Sequence, residues 1–158
     1  MVCRLGFAVL CLLAPAATAQ GPGAEYVTWN LPRWAQEALR SAGLGARFEL
    51  FFDLNPYYQR GDFDGDGQID LAVQIVEKTS HKRGIAIVHA SDRSVHVLGA
   101  GQRLGNAGDD FSWLWVWRVE TRRGSGPSRE ALYVEKPESA SGWIVWDGHT
   151  YTWLQGAD

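Results

Sequence analysis

From residue 47 onward the apolar residues begin to alternate, and that period decides the fold class. Successive side chains of a strand point to opposite faces, so alternation marks a segment with one face buried. Phe48, Leu50 and Phe52 alternate with Glu49, Phe51 and Asp53. Runs rich in β-branched and aromatic residues follow at 69–76, 84–90, 94–98, 113–120, 130–135, 142–146 and 149–154. Ser91-Asp92-Arg93 and Asp147-Gly148 read as tight turns, and 99–110 and 122–128 as polar, Gly-rich loops. Ahead of these runs, Leu31, Trp34, Ala35, Ala38 and Leu39 keep helical spacing, with Arg33, Gln36, Glu37 and Arg40 on the opposite face. Asn30 suits the N-cap, Pro32 the first turn and Gly43 the C-terminus of that helix. The expected fold is mostly β: an antiparallel meander of about six to seven strands with one amphipathic helix packed on it or capping it. Residues 30–158 read as a single domain.

Residues 1–19 have the layout of a secretory signal peptide. Arg4 precedes a short apolar run at 5–14, Pro15 breaks it, and Ala17-Thr18-Ala19 supplies small residues for cleavage. The run is shorter than the roughly 20 residues a membrane helix needs, and no second one follows, so no membrane span is expected. Both cysteines, Cys3 and Cys11, lie in this segment. Leu10 occupies the place before Cys11 where a lipoprotein signal carries a small residue. A secreted product, periplasmic or extracellular, therefore starts with a flexible lead-in at 20–29 and contains no disulfide. Without Arg4 it has 14 basic and 18 acidic residues, a net charge of −4. That balance offers no electrostatic footprint for nucleic acid.

The chemistry concentrates in Gly61-Asp62-Phe63-Asp64-Gly65-Asp66-Gly67-Gln68-Ile69-Asp70. Calcium takes six to eight oxygens at about 2.3–2.6 Å, and carboxylates at alternate positions of a curled loop converge on one point. Asp62, Asp64 and Asp66 stand at positions 1, 3 and 5, Gly67 at the sharp turn of position 6, and Asp70 at position 9. Gln68, at position 7, offers its backbone carbonyl. Aspartates so close repel one another, so the loop should be strained without a cation. The stretch, with Leu71-Ala72-Val73 after it, resembles the calcium loop of FG-GAP and VCBS repeats, found in integrin-α-type propellers. That resemblance implies a loop that runs into a strand, with calcium held by Asp62, Asp64, Asp66 and Asp70. An EF-hand would place Glu where Val73 stands. A propeller needs repeats, and no second Asp-x-Asp-x-Asp-Gly occurs in the chain. The resemblance thus carries a metal site and names no partner.

Trp113, Trp115 and Trp117 alternate along one run and are expected to share a face. Exposed indoles in a row stack on sugar rings, which would suit a glycan ligand; indoles filling the space beneath the helix are the other reading. His89 and His96 fall on adjacent strands without metal-ligand spacing. Asp109-Asp110 reads as a polar loop end that could also supply a further calcium oxygen. No nucleophile elbow, phosphate-cradling loop or nucleophilic cysteine is present after residue 19. The expectation is a non-catalytic calcium-binding module with a protein or glycan partner. Its alternatives are a carbohydrate-binding protein and, further off, a hydrolase using Glu135 or Glu138, or an inhibitor of one.

Overall fold

The computed structural model describes residues 30–122 and 130–156. The stretch expected to be a signal peptide at 1–19, the expected lead-in at 20–29 and most of the 122–128 loop lie outside them. Helices α1 (Arg33–Ser41) and α2 (Leu44–Arg47) precede nine strands. These are β1 (Phe48–Phe51), β2 (Tyr58–Gly61), β3 (Asp70–Glu77), β4 (Arg83–Val88), β5 (Val95–Gly99), β6 (Val116–Thr121), β7 (Glu130–Lys136), β8 (Ala140–Trp146) and β9 (Tyr151–Gln155). The chain is mostly β, as expected, but its strands form two antiparallel sheets rather than one meander: β1 to β5, and β6 to β9. The break falls at the long polar connection between β5 and β6, where no hairpin turn holds the two strands in register.

Three layers result. Leu31, Ala35, Ala38, Leu39 and Leu44 pack on Leu71, Val73 and Ile75 of β3 and on Ala86 and Val88 of β4. The other face of the same sheet gives Ala72, Ile85, Ile87 and Leu98 to a second core, which Trp117, Leu132, Val134, Ile144 and Tyr151 of the second sheet complete. Strands β3 and β4 are thus buried on both faces, which is why they read as continuous apolar runs. Helix α1 begins one residue after Pro32, whose carbonyl accepts the Ala35 and Gln36 N–H groups at 2.9 and 3.1 Å. Pro32, rather than Asn30, is the N-cap, and no side chain caps it. The helix ends at Ser41, and just past its C-cap Ala42 stands Gly43, whose φ of +65° suits a residue without Cβ.

Two features position the loop. Strands β1 and β2 lie end to end along one edge of β3, β1 against Gln74–Glu77 and β2 against Asp70–Val73. Gly61 therefore pairs with Asp70, and residues 62–69 become the connection of a hairpin. Gln59 Nε2 then donates to the Trp117 carbonyl at 3.0 Å, tying β2 to the second sheet.

The pairing of β4 with β5 depends on Gly84. A Cβ there would stand 2.3 Å from the Leu98 carbonyl oxygen and 2.6 Å from the Ala100 nitrogen. Backbone cannot swing aside as a side chain can. Gly84→Ala is expected to cost about 1–3 kcal/mol, read as a lower urea midpoint; an unchanged midpoint would show that the strands part freely.

Candidate metal centre

The loop coils by short-range hydrogen bonds from its own backbone. Asp62 Oδ1 accepts from the Gly65 N–H at 2.8 Å and Oδ2 from Gly67 at 3.0 Å. Asp64 Oδ1 accepts from Asp66 N–H at 3.0 Å, and Asp66 Oδ1 from Gln68 N–H at 2.7 Å. Each is an aspartate closing a turn on a residue two or more ahead. Gly65 and Gly67 have φ of +84° and +86°, a region closed to most side chains. The result is that an oxygen from each of Asp62, Asp64 and Asp66 lies within 4.8 Å of the other two. These three could hold a metal ion.

Asp70 does different work. It is fully buried, and its two oxygens accept three backbone N–H groups: Phe63 at 2.9 Å, Asp64 at 3.3 Å and Ala90 at 2.8 Å. One carboxylate thereby ties the start of the loop to the end of β4. Burial pushes its pKa up to about 6, against the pull of the N–H donors. Phe63, 1% exposed, plugs the loop into the inter-sheet core, and Glu130 Oε2 accepts the Asp62 N–H at 2.6 Å. Burial also raises Asp64, whereas the exposed Asp66 is lowered, first by the Gln68 N–H and then by the Ser91 hydroxyl. The Gln68 side chain stays exposed and donates to Asp66 Oδ2 at 3.3 Å.

The four aspartates therefore do not surround one point in the same way. Asp70 groups with Asp64 and with His89, a residue that loop spacing did not single out. His89 follows β4, is 3% exposed, and holds Nδ1 3.4 Å from Asp64 Oδ2. Its Nε2 stands 2.7 Å from the Tyr151 hydroxyl. Around it lie the rings of His96, Trp146 and Tyr151, with centroids 4.5, 5.0 and 5.7 Å away. The available signal was strand register, because Leu71 pairs with Val88 and the next step sets Asp70 against His89.

The remaining candidates lie elsewhere. Asp109 pairs with Lys82, and Asp110 Oδ1 accepts the Arg83 N–H at 3.0 Å, both at the opposite end of β4. They serve a loop end and stand apart from the aspartate loop. Glu135 is 3.6 Å from Arg118, and Glu138 is exposed in the β7–β8 turn. The three indoles of 113–117 do not form one exposed row. Strand β6 begins only at Val116; before it the chain turns, with the Leu114 N–H donating to the Phe111 carbonyl at 3.0 Å. Trp113 is half-buried with Nε1 donating to the Ala107 carbonyl at 3.2 Å. Trp117 is 3% exposed and Trp115 is 61% exposed. Comparison with family models, curated proteins and solved structures finds no match to this chain.

Proposed function

We propose that the protein is a secreted, non-catalytic binding module whose 62–70 loop takes one calcium ion as a structural element, in the manner of a single FG-GAP-like loop. The observation that supports this most is the convergence of Asp62, Asp64 and Asp66 within 4.8 Å on an exposed hairpin connection. Oxygen donors alone, on a loop able to adjust, suit calcium better than magnesium, which demands near-ideal octahedral geometry. The Gln68 carbonyl and water would complete the shell. Asp70 would act mainly from below, holding Phe63 and Asp64 in place, so that the cation orders the loop and the start of β3. Neutralising three adjacent carboxylates relieves their mutual repulsion, and that relief is the stabilisation the ion would supply.

The test is a thermal melt in EGTA, in millimolar calcium and in millimolar magnesium. At ten to a hundred times the dissociation constant, calcium should add about 1–3 kcal/mol. That corresponds to a rise of roughly 3–10 °C for a domain of this size. Asp66→Ala removes an exposed ligand with no part in the core, at the cost of its turn bond to the Gln68 N–H, and should abolish the calcium-dependent rise while lowering the EGTA melt only slightly. Equal melts in EGTA and calcium would reject the calcium reading.

A further inference from the structure

Beneath the calcium loop, and resting on the reading of that loop as a metal centre, we propose a second cation site built from Asp64, Asp70 and His89, which takes a borderline-soft divalent ion of the zinc type. Ligand atoms of all three lie within 4.8 Å of one another. Two ligands on a tetrahedral ion at about 2.0–2.1 Å stand about 3.3–3.4 Å apart. His89 Nδ1 and Asp64 Oδ2 are separated by 3.4 Å.

The second nitrogen of His89 argues the same way. Metal-bound imidazoles nearly always donate their other N–H to an oxygen, which fixes ring and tautomer. His89 Nε2 has the Tyr151 hydroxyl at 2.7 Å. With the hydrogen on Nε2, Nδ1 presents its lone pair toward the two aspartates. Two of the site's three ligands are buried, His89 at 3% exposed and Asp70 at 0%, and Asp64 closes it from the loop side. Its donor set of one imidazole and two carboxylates differs in kind from the all-oxygen set above it. Imidazole suits zinc, cobalt and nickel, whereas calcium is held by oxygen. Asp64 belongs to both sets, so an ion in the lower site withdraws a ligand from the upper one. Zinc should therefore weaken calcium binding.

Cobalt(II) serves as the spectroscopic probe, added to the metal-free protein carrying His81→Gln and His149→Gln. Both of those histidines are exposed in turns and stand outside the site. Four- or five-coordinate cobalt with an imidazole ligand absorbs visible light far more strongly than six-coordinate all-oxygen cobalt. The expected result is an intense visible band, together with a strongly shifted, exchangeable imidazole N–H resonance in the proton spectrum. That resonance is read on an intact His89 and needs no further substitution. His89→Asn should then remove the band and weaken cobalt roughly 100-fold. Asn leaves the three loop carboxylates in place and puts a polar amide beside Asp64, so calcium affinity should move by less than about threefold. Asp66→Ala should do the reverse, losing calcium and keeping the band. A weak band without the shifted N–H resonance, or a band that survives His89→Asn, overturns the site. Those outcomes leave the calcium melt untouched, so the failure of either reading is visible without the other.

Discussion

Trp117→Ala should lower stability by about 3–5 kcal/mol, the usual cost of emptying an indole from a core. In melting temperature that is a fall of roughly 10 °C or more. Trp117 is 3% exposed and sits where the two sheets face each other. Its Nε1 donates to the Pro56 carbonyl at 2.9 Å, so the substitution also strips a partner from the connection that leads into β2. Trp115→Ala, two residues away and 61% exposed, should fall within about 0.5 kcal/mol of the parent. Urea titrations of the two variants check the contrast. Similar small losses in both would mean that the 113–117 segment is a surface row after all, and would revive a sugar-stacking face there.

The contrast shows what alternation could and could not reveal. Indoles at every second position predict a shared face only if the strand is regular throughout. Here the chain turns at Phe111–Leu114 before β6 starts, so Leu114 and Trp117, three apart, both reach the core. The same limit explains β2. Tyr58-Gln59-Arg60-Gly61 has no alternating apolar pattern, and it becomes a strand because the edge of β3 beyond Asp70 would otherwise be unpaired. By contrast β3, β4 and the α1 face were legible, because burial on both faces or on one stripe writes itself directly into residue type.

The loop followed the same division between local and distant information. Asp62, Asp64 and Asp66 converge through hydrogen bonds spanning two to five residues, so their spacing alone announced them. His89 arrives from 19 residues beyond Asp70, by the antiparallel register of β3 and β4. Nothing in the vicinity of His89 marks it as part of a donor set. Asp70 was identified as an aspartate of the loop, yet its burial and its bond to the Ala90 N–H come from tertiary packing.

That burial makes Asp70 the group with the largest expected effect on the acid side of neutral pH in the metal-free protein. Its pKa is raised from 3.8 to about 6 by desolvation. A raised carboxyl binds its proton more tightly in the folded state than in the unfolded one, so folding is favoured as pH falls through this window. In EGTA the protein should therefore gain stability from Asp70 between pH 7 and pH 4, by about 3 kcal/mol in full. His96 opposes it: burial lowers that pKa, so acid charges the unfolded histidine first and the folded state loses ground below the ordinary histidine value. Carboxylates with lowered values act below their unfolded values, 3.8 for Asp92 and Asp147 and 4.5 for Glu77, at the acid edge of the window. Asp64, raised by burial, works in the same direction as Asp70. Comparison with Asp70→Asn removes the Asp70 contribution, since the amide does not titrate while His96, Glu77 and Asp64 are common to both. The parent should gain on the variant by roughly 5–10 °C between pH 7 and pH 4.5 in EGTA. Parallel curves for the two proteins would mean that the three N–H donors hold Asp70 ionised throughout. Burial would then impose no penalty on that carboxylate, and a cation would have none to relieve.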